Sequence, residues 1–266
     1  IVGDLNLSLA ALPTLADVDR PEDLVVWRQI EAQQARSPQI SAIIPVLNEA
    51  ANLEAMFRPL SRAVNVETIA IDGGSTDGTP ELAVSLGVKT IRSEPGRARQ
   101  MNAGAAAASG EILLFLHADT VLPEGFEAIV RATLRQPNAI AGAFRLRIDG
   151  QLLRLRAIET VVQWRSQFLH LPYGDQGLFL RADVFRQLGG FPDVPIMEDF
   201  ELVRRLGKLG KIAIAPAAVV TSARRWQNLG VVRTTAINQA IVLGYFVGVP
   251  PAKLVRWYRS RSSIFR

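Results

Sequence analysis

The apolar run EILLFL (111–116) is followed at once by His117-Ala118-Asp119. A buried strand that ends by projecting an imidazole and a carboxylate suits a divalent ion that keeps open positions for phosphate oxygens. The same residues also fit a helix-capping aspartate beside a satisfied histidine. Two more apolar runs end in polar clusters, ISAIIPVL in Pro45-Val46-Leu47-Asn48-Glu49 and ETIAID in Asp72-Gly73-Gly74-Ser75-Thr76-Asp77-Gly78. In the segment from Glu94 to Gly104, Arg97 and Arg99 fall at a helix start whose free N–H groups favour an anion, and a diphosphate fits there. Farther on, Glu198-Asp199 opens a helix, where carboxylates cap the dipole or can take a proton from an attacking hydroxyl. The loop Tyr173-Gly174-Asp175-Gln176-Gly177 is a further polar wall before a strand.

These clusters require strands that deliver them to one edge. Short β-rich runs at 40–47, 67–72, 88–91 and 111–116 alternate with helical patterns: the set Leu53, Phe57, Leu60, Val64 (with Pro59 inside it), a helix opened by Thr79-Pro80, and an Ala-rich helix from Arg97 to Ala108. The pattern predicts an α/β fold, a doubly wound and mostly parallel sheet whose ligands bind at the carboxyl ends of the strands. The second half reads as α+β. It has a helix to about Leu134, a strand at 140–148, a helix from Leu152 to Phe168 and a strand at 177–181. A helix at 197–210, a strand at 211–216 and two terminal helices parted by Pro250-Pro251 follow. Residues 1–38 stand outside this alternation as an N-terminal appendage, and residues 39–266 form the main domain.

Composition narrows the function classes. The 266 residues are 48% hydrophobic, enough for a sizeable core, and contain no cysteine, which excludes disulfides and thiolate metal sites. The 30 basic residues are nearly all Arg, with Lys only at 89, 208, 211 and 253. No basic run interleaved with aromatics points to nucleic acid. The first residues lack a basic n-region, and no stretch approaches the ~18 apolar residues of a membrane span, so a cytoplasmic protein is expected.

Read in order, IPVLNEA, DGGSTDGT, GRARQMNAGA, His117-Ala118-Asp119, Glu198-Asp199 and Arg224-Arg225-Trp226 resemble glycosyltransferase family 2, over roughly Ile40 to Trp226. The resemblance implies the GT-A fold and an inverting transfer of sugar from a nucleoside-diphosphate sugar to a hydroxyl or carboxyl of a small or lipid-like acceptor. It places the nucleotide against Pro45, Glu49, Asp72 and Gly74, with Arg97, Arg99 and Asn102 on the diphosphate side. Mn²⁺ or Mg²⁺ falls to Asp119, with His117 in place of the first carboxylate of the usual triplet. Asp199 becomes the base with Glu198 as its support, and Asp175, Gln176, Arg225 and Trp226 line the acceptor side. The Gln of the processive QxxRW motif is Ser222 here, which argues against polymer synthesis.

The His-Ala-Asp triplet, GRARQMNAGA and YGDQG are similar to a small group found near radical-SAM enzymes and linked to arsenosugar biosynthesis, and relatives also carry the label carotenoid-acid glycosyltransferase. The segment from Leu12 to Leu24 resembles the tail of a nucleotidyltransferase-like domain, as if an upstream partner were fused. Tyr245, Phe246, Trp257 and Tyr258 beside Lys253, Arg256 and Arg259 suit a peripheral membrane contact or a packed terminal helix. A nucleotidyltransferase and a silent nucleotide-binding module are the competing classes.

Overall fold

The computed structural model describes residues 37–150, 153–168 and 171–261. The appendage expected over residues 1–38, with its resemblance to a neighbouring domain, lies outside these except for Ser37 and Pro38. The remainder, Pro38–Arg266, is one compact unit.

In chain order its elements are β1 (Ile40–Val46), α1 (Leu53–Ser61), β2 (Val66–Asp72), α2 (Thr79–Ser85), β3 (Lys89–Arg92), α3 (Arg97–Ala107) and β4 (Ile112–Phe115). Then come β5 (Thr120–Val121), α4 (Phe126–Leu134), β6 (Ala139–Asp149), α5 (Leu153–Phe168), β7 (Leu178–Arg181) and α6 (Ala182–Gln187). Last are α7 (Glu198–Leu206), β8 (Lys211–Ser222), α8 (Arg224–Leu229), α9 (Val231–Phe246) and α10 (Pro251–Arg261). A single sheet runs in the order β3-β2-β1-β4-β7-β6-β8-β5. The first four of these strands are parallel, as the βα alternation predicts, and β7 enters antiparallel between β4 and β6.

The strands are apolar on both faces because both are covered. On one face Ile40, Ala42, Ile44 and Val46 meet Leu53, Met56, Phe57 and Leu60 of α1 together with Phe126 and Val130 of α4. On the other, Ile43, Ile69 and Ile71 meet Met101 and Ala105 of α3 and Leu202 and Val203 of α7. The small residues of α3 set its height above the sheet: a Cβ on Gly104 would lie 2.5 Å from Ile43 Cγ2 and 2.6 Å from Ile71 Cδ1.

Three sequence expectations change. The strand expected to stop at Pro216 runs on to Ser222, because a register shift carries it past the proline: Ala143 pairs with Ile214, but Arg145 pairs with Ala218. An irregularity of this kind leaves the proline no ladder N–H to supply. The prolonged end of β8 pairs with β5 just beyond Asp119, tying that loop to the second half of the sheet. The helix expected over 197–210 ends at Leu206, and the C-terminal region holds α8, α9 and α10, with the first break at Gly230.

Candidate active site

The carboxyl ends of β1 and β2 form one joined rim. Asn48 adopts φ 54°, a left-handed conformation that asparagine tolerates, and its Oδ1 accepts from the Thr76 amide at 2.9 Å while its own amide donates to Ser75 Oγ at 2.9 Å. The Glu49 amide donates to Thr79 Oγ1 at 2.9 Å and the Ala50 amide to Asp77 Oδ2 at 3.1 Å. Asp72 is 4% exposed, and its carboxylate accepts from the amides of Gly74 and Ser75, each at 3.0 Å. It therefore shapes the turn, in which Gly74 takes φ 101° with open space around it. Gln100 of α3 locks both strands from below, donating through Nε2 to the carbonyls of Val46 at 3.1 Å and Ile71 at 2.8 Å.

Carboxylates from three separate elements converge beside this rim. Asp119 follows β4, Asp175 sits in a 3-10 turn (Gly174–Gln176), and Glu198 and Asp199 open α7 after Met197, whose φ of 70° is a backbone cost of the sort that collects at functional sites. The Gly174 amide donates to Asp199 Oδ2 at 2.7 Å, and the Phe200 amide to its Oδ1 at 2.7 Å, which fixes the carboxylate's orientation. His117 reaches the same place: a Cβ on Gly174 would fall 2.8 Å from Asp199 Oδ2 and 3.1 Å from His117 Nε2. Burial, and then the charge of Arg97, hold the imidazole pKa well below its ordinary value, so His117 is neutral at pH 7.

Arg97 is the cation at the centre of this group. Its Nη1 lies 3.5 Å from Glu198 Oε1. Desolvation works against its charge, but Glu198, Asp199, Tyr258 and Asp119 outweigh it and raise its pKa. Burial, and next the charge of Asp199, raise the pKa of Glu198, with Arg97 opposing. Asp175 is pushed up to about 6, chiefly by burial; Arg165 and Arg97 pull it down while Asp199 and Asp119 add to the rise. Its Oδ1 is buried with no hydrogen-bond partner, which further disfavours the charged form.

The other residues expected from sequence have these positions and contacts. Asn102 is a bolt, its Nδ2 donating to the Phe191 carbonyl at 2.8 Å and its Oδ1 accepting from the Phe191 amide at 2.9 Å, so its amide is spent within the fold. Arg99 turns away from Arg97 to Glu94 at 2.7 Å and Asp193 at 3.1 Å, on a half-exposed surface. Gln176 is 0% exposed; it donates to the Phe144 carbonyl at 2.9 Å and accepts from Ser166 Oγ at 2.9 Å, so it braces the loop around Asp175 from behind. Trp226 packs on the first core face. Arg225 lies in α8, with its side chain outside the described residues. Pro45 is half-buried at the end of β1.

Arg224 has a place that sequence reasoning missed. Its Nη2 stands 3.3 Å from Glu49 Oε2 and 4.0 Å from Asp119 Oδ2, bridging the rim at the ends of β1 and β2 and the candidate metal ligand. The Arg-Arg pair was visible, but only the long β8 brings Arg224 beside Asp119.

Among the described residues no group of three or more His, Cys, Asp or Glu forms a ready metal cage. The donor chemistry nevertheless fits Mn²⁺ or Mg²⁺, since Asp119 is one-third exposed at the rim and such ions take a single carboxylate plus phosphate and water oxygens. Among the described residues no helix is long and apolar enough to cross a membrane.

Comparison with known proteins follows the same outline. Residues 41–189 match the sequence profile described as Glycosyl transferase family 2. Glucosyl-3-phosphoglycerate synthase of Mycobacterium tuberculosis is 31% identical over 138 residues, which cover 46% of this chain and 41% of that protein. The probable glycosyltransferase YdaM of Bacillus subtilis is 27% identical over 222 residues, covering 73% of this chain and 52% of that one. The chain thus spans about half the length of these curated relatives. Among solved structures, the mannosyltransferase of Pyrobaculum calidifontis in complex with GDP-Man and Mn²⁺ superposes with a TM-score of 0.57 at 19% identity, covering 89% of this chain and 76% of that one. The M. tuberculosis synthase in complex with Mn²⁺ and UDP-glucose gives 0.52 at 22% identity, covering 73% of each chain. These neighbours have the GT-A fold, as this chain does. With the profile spanning more than half of its length and the strand-end motifs in order, the chain belongs to glycosyl transferase family 2.

Proposed function

We propose that this chain moves a sugar from a nucleoside-diphosphate sugar to an acceptor hydroxyl, or to an acceptor carboxyl, by one in-line displacement with inversion. The observation that carries the reading is the convergence of Asp119, Asp175, Glu198 and Asp199 around Arg97 at the carboxyl edge of the sheet. The rim of Asn48 to Ala50 and Asp72 to Thr79 offers backbone and hydroxyl groups for a nucleoside. Arg97, at the N-terminus of α3, faces the place where a diphosphate gathers charge.

The acceptor oxygen attacks the anomeric carbon, the bond from that carbon to the diphosphate breaks, and the hydroxyl proton passes to Asp199. The amides of Gly174 and Phe200 hold that carboxylate in one orientation, and His117, neutral, stands beside it as a hydrogen-bonding group. Asp175, close to Asp199 and Asp119, adds a carboxyl to the acceptor side of the group. Asp119 would hold a Mn²⁺ or Mg²⁺ ion, which would supply further charge stabilisation to the leaving diphosphate. The solved neighbours named for GDP-Man and UDP-glucose with Mn²⁺ support the donor class and the metal.

The triplet at 117–119, GRARQMNAGA and YGDQG also support membership in the arsenosugar-linked group. The terminal aromatics leave room for a lipid-like acceptor at a membrane face, with Phe246 59% and Trp257 41% exposed. Thermal-shift titration with UDP-, GDP- and dTDP-sugars in the presence of Mn²⁺ tests the donor reading. Stabilisation by one nucleotide class is expected, since a ligand that binds only the folded state raises the melting temperature. No shift with any of them would remove the proposal.

A further inference from the structure

On β6, away from the residues described above, Arg145 and Arg147 stand two positions apart and so share one face of the strand. With α5 and β8 they line a groove of about 380 Å³. None of the groove's residues belongs to the rim or to the carboxylate cluster. The register shift between Ala143 and Arg145 sets Arg145 opposite Ala218, whose small side chain leaves the floor open.

The charges in the groove are unevenly used. Arg156 is satisfied: it pairs with Glu159 Oε2 at 2.8 Å and donates to the carbonyls of Ile148 at 2.7 Å and Gly150 at 2.6 Å. Glu159 is spent on Arg156 and on the Ile148 amide. Arg145 and Arg147 both line the groove and have no ion-pair partner among the described residues. Planar guanidinium donors of this kind match a phosphate oxygen edge. The surplus of positive charge equals that of a dianion, whereas a lone carboxylate would leave one arginine uncompensated. Gln163 of α5 adds an amide donor at the groove wall.

We propose that this groove is a binding site for a phosphate group, independent of the nucleotide cleft. The group comes either as free phosphate or as the phosphomonoester of a small metabolite, the recognition chemistry being shared.

The test is calorimetry on the full chain without divalent ions, titrating inorganic phosphate in one arm and glycerol 3-phosphate in the other. Wild type should bind with a single site. Arg145→Gln should weaken binding about 10-fold, the loss of one charge-assisted contact. Arg147→Gln, at an exposed position that leaves folding intact, should weaken it similarly, and Arg97→Gln in the cleft should leave it unchanged. Tighter binding of glycerol 3-phosphate than of phosphate would support an organic ligand, and equal binding would support the free ion. The proposal is overturned if neither probe binds, if Arg147→Gln binds like wild type, or if Arg97→Gln abolishes binding, which would put the phosphate in the cleft.

Discussion

Asp175 offers a way to measure how much stability the site gives up. Its carboxyl pKa is raised from 3.8 to about 6, with burial as the main cause and its Oδ1 left without a partner. A shift of roughly 2 units at ~1.36 kcal/mol each amounts to about 3 kcal/mol. The sign follows from proton counting. Between pH 4 and pH 6 the folded chain holds a proton that the unfolded chain has lost, so stability declines as the pH rises through this window. Below it the carboxyl is neutral in both states and costs nothing extra; above it the full penalty stands. Asp175→Asn keeps the shape and removes the charge. The variant should match wild type near pH 4 and exceed it by up to about 3 kcal/mol at pH 7.5. Glu198 is raised too, but it titrates in both proteins, so the difference isolates Asp175. Urea unfolding followed by tryptophan fluorescence at half-unit pH steps gives the curve. A difference that is flat in pH, or a variant less stable than wild type at pH 7.5, would refute the reasoning. A gain in stability joined to a loss of transfer would mark Asp175 as a residue kept for function at a cost to the fold.

Further expectations concern the core and the chemistry. Gly104→Val should destabilise by about 1–3 kcal/mol, because the added Cβ meets Ile43 and Ile71 and α3 must lift from the sheet; urea unfolding reads this. Asp199→Asn should lower turnover by ~10² to 10⁴ while nucleoside diphosphate still binds, as seen by comparing kcat with calorimetric affinity. Asp119→Ala should abolish the Mn²⁺-dependent part of nucleoside diphosphate binding and leave the metal-free part intact, which paired titrations with Mn²⁺ and with EDTA separate.

The sheet's first half was legible in the sequence because β1, β2 and β4 are short apolar runs punctuated by polar residues, and their carboxyl ends are where an open α/β sheet binds ligands. That logic also points to Asp119; Asp199 comes instead from the acidic opening of a helix and from the family resemblance. The same logic does not fix a side chain's direction, which type alone leaves open. Asn102 and Arg99 sit in the same segment as Arg97, but the turn of α3 sends one to Phe191, one to Asp193 and one to Glu198. Asp72 and Gln176 look like site residues by type, yet both are buried and committed to backbone groups. Gln100 carries no chemical signal and holds two strands together. Pro216 read as a stop, and only the register shift shows how β8 passes it to bring Arg224 beside Asp119.

The central claim is that this cleft breaks the bond between a sugar and a nucleoside diphosphate with Asp199 as the proton acceptor. The most direct measurement is nucleoside diphosphate release from UDP-, GDP- and dTDP-sugars by the purified chain with Mn²⁺, with Asp199→Asn alongside. Release from at least one donor, reduced at least ~10²-fold in the variant, is the expected result. Equal release by both proteins, or none from any donor that binds, would contradict it.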